Sequence, residues 1–242
     1  MERGEYERLA AAEERMWWFR GLHANLVAAL AELSAPKRVL DAGCGTGGLM
    51  TRLAADFPEA AIIGVDLDRG AAALAQDKSR RPACVGSVDR LPFAEGAFDA
   101  VLSADVLCHR GVDERAALEG FRRCLRPGGV LVLNLPAYRW LYSAHDIAVD
   151  NARRYARGEL GRMLAACGFA GIRTRYWNTL LFPLMVLRRK LWPRRPAASE
   201  VALLPEPVER AFGAVIALES RLAAAGLLPP FGGSILATAV KP

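Results

Sequence analysis

Between Arg38 and Leu135, short apolar runs alternate with stretches of helical spacing, and this rhythm constrains the fold more than any single residue does. Strands that alternate with helices pair in parallel, because each crossover helix brings the chain back to the same end of the sheet. Arg38-Val-Leu-Asp41 reads as a first strand, Gly47–Phe57 as a helix that stops before Pro58, and Ala61-Ile-Ile-Gly-Val-Asp66 as a second strand. An alanine-rich helix is expected from Arg69 to about Lys78, a third strand at Ala83–Gly86, a fourth at Phe98–Ser103 and a helix over Asp113–Leu125. Pro127-Gly-Gly129 is expected to turn the chain into Val130–Leu135, an unbroken apolar run that suits a strand covered on both faces.

Beyond Leu135 the rhythm changes. Pro136–Tyr155 is polar and aromatic, Gly158–Cys167 reads as a helix closed by Gly168, and Gly171–Tyr176 and Ser234–Val240 read as sixth and seventh strands. Trp177–Gly233 is too long for a structureless loop and holds two helical segments, Thr179–Trp192 and Val208–Ala225, expected to form a cap.

The 242 residues, 52% of them hydrophobic and 24% charged, suffice for a large core and exclude a disordered chain. Five cysteines with no CxxC pair argue against a disulfide scaffold or a zinc ribbon and for reduced thiols in a cytoplasmic protein. Met1–Arg15 is charged and lacks the apolar core of a signal peptide. No apolar run reaches the roughly 18 residues of a membrane span, and Pro183 interrupts the longest candidate, Leu180–Leu187.

The strongest local signal is Val39-Leu-Asp41-Ala-Gly43-Cys44-Gly45-Thr-Gly47-Gly48. A strand that runs into glycines and then a helix lets the backbone approach a ligand at the carboxyl end of the sheet. By themselves the glycines fit both GxGxxG, the dinucleotide pattern, and GxGxG. Asp66 lies 21 residues past Gly45, where a carboxylate accepts both ribose hydroxyls of either kind of nucleotide. Asp41 separates the two readings, since it would repel a pyrophosphate and attract a cationic group. It favours S-adenosylmethionine over a nicotinamide cofactor.

Five segments in order, Val39–Gly47, Gly64-Val-Asp66, Leu91-Pro-Phe93, Phe98-Asp-Ala-Val101 and Leu125-Arg-Pro-Gly-Gly-Val130, resemble class I S-adenosylmethionine-dependent methyltransferases. The resemblance covers about residues 36–135. It implies an α/β, Rossmann-like, seven-stranded and mostly parallel sheet with helices on both faces and a helical cap inserted before the last strand. The implied plan is one domain: an N-terminal helical segment (1–35), a cofactor half (36–135), an acceptor-side lid and strand (136–176), the cap (177–233) and the last strand (234–242). It also implies that Gly43, Cys44, Gly45 and Gly47 wrap the methionine and ribose, that Asp66 binds the ribose, and that Leu67 and Val88 flank the adenine. Ser103 and Asp105 would lie beneath the cofactor, and S-adenosylhomocysteine would be the product. Where many relatives carry an acidic residue for the adenine amino group, this chain has Ser87, whose hydroxyl can accept the same bond or serve as an ordinary turn residue.

Trp17-Trp-Phe-Arg20 and the segment from Trp140 to Tyr155 resemble a bacterial, type 11-like subgroup, although Asn151 stands where that subgroup tends to have histidine. Arg20 is expected either to pair with the cofactor carboxylate or to sit on an exposed helix face. Transfer to oxygen needs a nearby base, and transfer to nitrogen needs chiefly alignment. His109, and His145 with Asp146, are the expected catalytic or positioning groups, with a structural turn role as the alternative. Arg154 is expected to lock the lid through Asp146, and Cys44 and Cys108 to pack as small apolar groups. No ligand-spaced cluster predicts a metal.

Trp177–Pro196 carries Arg188, Arg189, Lys190, Arg194 and Arg195 and no acidic residue, against a net charge of +6 for the whole chain. An apolar run beside this basic cluster fits peripheral contact with the inner face of an anionic membrane, or a cap whose apolar side lines the acceptor pocket. Both readings favour a small-molecule, amphipathic or lipid-like acceptor. Nucleic acid is not expected, because the aromatic residues are not interleaved on a basic face. The acceptor atom and the oligomeric state stay open at this level.

Overall fold

The computed structural model describes residues 13–32, 35–191 and 203–242. Seven strands form one sheet in the order β3-β2-β1-β4-β5-β7-β6. They are β1 (Arg38–Ala42), β2 (Ala61–Asp66), β3 (Ala83–Val85), β4 (Phe98–Ala104), β5 (Leu125–Pro136), β6 (Ala170–Trp177) and β7 (Ser234–Val240). All pairings are parallel except those of β7, which runs antiparallel to both β5 and β6. The mostly parallel Rossmann-like sheet expected from the sequence is the sheet observed.

Among the described residues the sheet is accompanied by the helices α1 (Trp17–Ala31), α2 (Gly48–Asp56), α3 (Arg69–Ser79), α4 (Glu114–Cys124), α5 (Ala144–Ala148), α6 (Arg157–Ala166), α7 (Phe182–Leu191) and α8 (Glu206–Ala224). Side chains alternate across the central strands, so each strand feeds two cores. Leu40, Val101, Leu131 and Leu133 pack with Phe121 of α4 and Leu160 and Leu164 of α6. Val39, Leu102, Val130 and Val132 pack with Leu26 and Leu30 of α1, Met50 and Leu53 of α2, and Ile216 of α8. Local chemistry sets the helix ends. Asp68 caps α3 by accepting from Gly70 N and Ala71 N, Asp113 caps α4 by accepting from Arg115 N and Ala116 N, and Gly168 closes α6 at φ +80°.

Strand order reverses between β1 and β4. The crevice at their carboxyl ends is where α/β sheets place ligands, because the connections diverge there to opposite faces.

Two expectations are corrected. Pro127–Gly129 does not stand apart as a turn. It lies within β5 beside a register shift against β4, with Gly128 N donating to Lys241 O and Lys241 N donating to Gly129 O. The second helix of the expected cap, α8, packs on α1 instead, with Phe212 edge-on to Trp17 and Ile216 against Gly21. Helix α7 leans over the crevice, Phe212 of α8 also reaches it, and the turn leading into α7 is tethered to α8 where Thr179 N and Leu180 N donate to Glu219 Oε2. Trp192, Arg194 and Arg195 lie outside the described residues. Among the described residues no helix is long and apolar enough to cross a membrane.

Candidate active site

A cavity of about 910 Å³ opens at the carboxyl ends of β1, β2 and β4 and is bounded by α1, the 136–156 lid and α7. At its floor the chain leaves β1 through Gly43 and Cys44, whose N–H groups both donate to Val65 O. Gly45, at φ +51°, has nothing within 4 Å of the place a Cβ would occupy, so its backbone lies bare to the cavity. Gly47, at φ +86°, has a different reason for being glycine. A Cβ there would stand 2.6 Å from Ala75 Cα, so Gly47 packs on α3 and does not line the cavity, contrary to its expected place around the cofactor.

Asp66 ends β2 and accepts from Gly45 N through Oδ2 (2.9 Å) and from Asp68 N through Oδ1 (2.9 Å). One carboxylate thus ties the glycine turn to the start of α3. Leu67 is 74% exposed beside it, and Val88 and Ser87 line the same end of the cavity. Ser87 also caps the short turn that follows by accepting from Asp89 N, the ordinary turn role that was its alternative.

Asp41 is buried, and its Oδ2 has no hydrogen-bond partner. Burial above all, then the charges of Glu13 and Asp66, pushes its carboxyl well above the usual range. An orphaned acceptor in a cavity wall fits a ligand that brings an ammonium group. Glu13 is the residue that sequence reasoning missed. Its carboxylate accepts from Thr46 Oγ1 (2.6 Å) and Lys78 Nζ (3.0 Å) and lies 3.7 Å from His23 Nε2. A Cβ on Gly48 would strike it, so the unexplained second glycine of the Gly47-Gly48 pair was the available signal. Burial pulls the His23 imidazole down to about 4, which keeps it neutral beside this carboxylate at neutral pH.

Asp105 follows β4 at φ +55°, half-buried in the cavity wall, and His109, His145, Asn151 and Arg154 line the wall beyond it. Trp17, Trp18 and Phe212 line one apolar side, and Leu181, Leu184 and Met185 line another next to Arg188 and Arg189. Cys44 and Cys108 have thiols pushed up by burial and stay protonated packing groups.

Besides Gly47, three expected site residues fall elsewhere. Arg20 is exposed and borders a separate depression of about 550 Å³ behind α1, which Trp17, one turn before it, also lines. Ser103 points into the sheet, where its Oγ donates to Ala42 O (2.8 Å). Asp146 is fully buried behind the lid, bonded to Arg154 Nε (2.8 Å) and Ser143 N (2.9 Å), which makes it an anchor and not a group on reacting atoms. Arg153 and Tyr155 also hold the lid, through Glu114 and the Leu107 carbonyl.

Comparison with known proteins agrees with this geometry. Residues 40–133 match the family described as "Methyltransferase domain". The chain is 30% identical over 184 residues to malonyl-[acyl-carrier protein] O-methyltransferase of Geobacter sulfurreducens, covering 69% of this chain and 67% of that protein. Matches to the next two curated relatives span 53% and 64% of their lengths. Among solved structures, a Thermotoga maritima methyltransferase described as a possible histamine N-methyltransferase superposes with TM-score 0.64 at 20% identity, covering 99% of this chain and 96% of that one. Phosphoethanolamine N-methyltransferase 2 of Haemonchus contortus, in complex with S-adenosyl-L-methionine, superposes with TM-score 0.61 at 18% identity over 91% of this chain and 52% of that one. Ordered motifs, strand order and curated relatives converge on one conclusion: the chain belongs to the class I S-adenosylmethionine-dependent methyltransferases, type 11-like, and S-adenosylmethionine is its cofactor.

Proposed function

We propose that this methyltransferase acts on an amphipathic, lipid-like small molecule. The observation that carries the reading is the composition of the cavity beyond Asp105, where Trp17, Trp18, Leu184, Met185 and Phe212 present apolar surface and Arg188 lies among the lining residues. An acceptor with an apolar body gains about 25 cal/mol for each Å² it buries there, and an anionic end would meet Arg188. Exposed Leu180 and Leu187 beside Arg188 and Lys190 support peripheral contact of α7 with an anionic membrane from which such an acceptor is drawn.

When bound, S-adenosylmethionine supplies a sulfonium methyl group open to in-line attack. Asp41 would receive its ammonium, the Gly43–Gly45 backbone would allow close approach, and Asp66 would accept from the ribose hydroxyls. Leu67 and Val88 would flank the adenine, and Ser87 would meet its amino group. His109 and His145 would position the acceptor, and the lid held by Arg154 would exclude water from the transfer.

Incubation with methyl-tritiated S-adenosylmethionine and a lysate of the source organism, followed by partition, tests the reading. Label in the organic phase is expected. Label confined to the aqueous phase or to protein would contradict it.

A further inference from the structure

Asn134 is fully buried on β5, and its side chain is held in one orientation from both sides. The Trp177 indole N–H donates to Asn134 Oδ1 (2.6 Å), and Asn134 Nδ2 donates to Asp105 Oδ1 (3.0 Å). An indole nitrogen only donates, so the amide cannot flip without setting two donors against each other. Asp105 Oδ1 is therefore always an acceptor toward Asn134, and a proton on this carboxyl must sit on Oδ2. Among the described residues the hydrogen bond to the Asp105 carboxyl is the one from Asn134 to Oδ1, which leaves Oδ2 to the cavity that Asp105 lines. Asp105 N also donates to Asn134 O (2.9 Å), which fixes the backbone at its positive φ. The next residue, Val106, packs against Gly43, so the carboxylate stands where the glycine turn meets the lid.

We propose that Asp105 Oδ2 is the proton acceptor for methyl transfer to a hydroxyl group, with Asn134 and Trp177 as its positioning residues. The proposal rests on the amphipathic-acceptor reading and names the reacting group. In the step, a lone pair of the acceptor oxygen forms the new O–CH3 bond and the S–CH3 bond breaks. Its electron pair goes to sulfur, giving neutral S-adenosylhomocysteine. The O–H proton passes to Oδ2, and the neutral carboxyl later returns it to water.

The chemistry selects a hydroxyl. A carboxylate acceptor already owns its lone pair, needs no base, and would be repelled by Asp105. An ammonium group would be held by Asp105 in its charged form, which a carboxylate is too weak a base to deprotonate. A hydroxyl becomes acidic only as the new bond forms, and a positioned base takes the proton at that moment. Burial pushes the Asp105 carboxyl up to about 7, the Asn134 amide and Arg154 pull it down, and Asp146 pushes it up. Cys108, which also faces it, stays a neutral thiol. A base near the working pH can both take a proton and release it.

Four probes that share a dodecyl chain test the proposal with methyl-tritiated S-adenosylmethionine: dodecanol, 4-dodecylphenol, dodecanoic acid and dodecylamine. Label is expected in the alcohol or the phenol, with a rate that rises through one ionisation near pH 7. Asp105→Asn is expected to slow that transfer by about 100-fold or more while S-adenosylhomocysteine affinity stays within a few-fold. Carbon-13 NMR titration of labelled aspartate carboxyls supplies a readout without turnover. Trp177→Phe frees the Asn134 amide and is expected to move the Asp105 midpoint upward. Faster labelling of the acid or the amine would overturn the Asp105 role and leave the amphipathic reading standing. Label in none of the four, with S-adenosylhomocysteine still bound, would overturn both. Unchanged transfer by Asp105→Asn, a tenfold loss of S-adenosylhomocysteine affinity in that variant, or an unmoved midpoint in Trp177→Phe would also overturn the proposal.

Discussion

Arg154 Nε lies 2.8 Å from Asp146 Oδ1 with the two side chains 3% and 0% exposed, and Arg189 Nη1 approaches the other oxygen of the same carboxylate at 3.7 Å. The lid and α7 therefore share one buried anion. Arg154 also donates to Ala137 O, just past β5, so the pair fastens the lid to the sheet.

Removing one partner strands the other charge in the interior, which typically costs about 3–5 kcal/mol. Arg154→Ala and Asp146→Ala are each expected to lower stability by roughly that amount in urea unfolding, and the double variant by much less than the sum. Additive losses would show that the two groups act separately.

Two of the three positive-φ glycines of the turn, Gly45 and Gly47, are expected to behave differently. Gly47→Ala places a methyl against the α3 backbone, so it lowers the melting temperature sharply. Gly45→Ala meets only open cavity and carries little beyond the left-handed strain of about 1–2 kcal/mol. Paired thermal melts separate them, and equal losses would contradict the orientations described.

Burial and the charges of Glu13 and Asp66 push the Asp41 carboxyl well above its usual range, and an incoming ammonium favours its ionised form. Cofactor binding is therefore expected to release a proton, and affinity is expected to rise with pH until the free-state Asp41 ionises by itself. Calorimetry in two buffers of different ionisation enthalpy checks this, since the apparent heats must differ. Identical heats would remove Asp41 from the site.

Asp105 carries a pH signature of stability as well. Its carboxyl titrates near 7 when folded and at about 3.9 when unfolded. Between these values the folded state binds more protons, so stability falls as pH rises from about 4 to about 7 and then levels off. Asp105→Asn lacks this loss. Its melting temperature relative to the parent chain is expected to be higher at pH 8 than at pH 5, and a pH-independent difference would contradict the assignment.

What the sequence made legible was local. The turn from Asp41 to Gly45 and the carboxylate at Asp66 follow from adjacent residues that must serve one strand end, and the alternation from Arg38 to Leu135 carried the sheet. Contacts between distant segments were hidden. Glu13 reaches Thr46 across 33 residues, and no pattern in the N-terminal segment marks that carboxylate among its charged neighbours. The amphipathic stripe of α8 announced burial without saying that α1 would cover most of it, leaving Phe212 to reach the cavity. Asp146 read as catalytic because it adjoins His145 in sequence, whereas one step along the lid turns it from the cavity to Arg154. Gly128 read as a turn because its hydrogen-bond partner, Lys241, lies at the far end of the chain.

The most direct measurement is a calorimetric titration of the protein with S-adenosylhomocysteine, run beside Gly45→Val. The account predicts saturable one-to-one binding by the parent chain and none by the variant, whose added methyl groups would fill the space over the turn while the fold persists by circular dichroism. No binding by either protein, or equal affinity in both, would contradict the placement of the cofactor on the glycine turn.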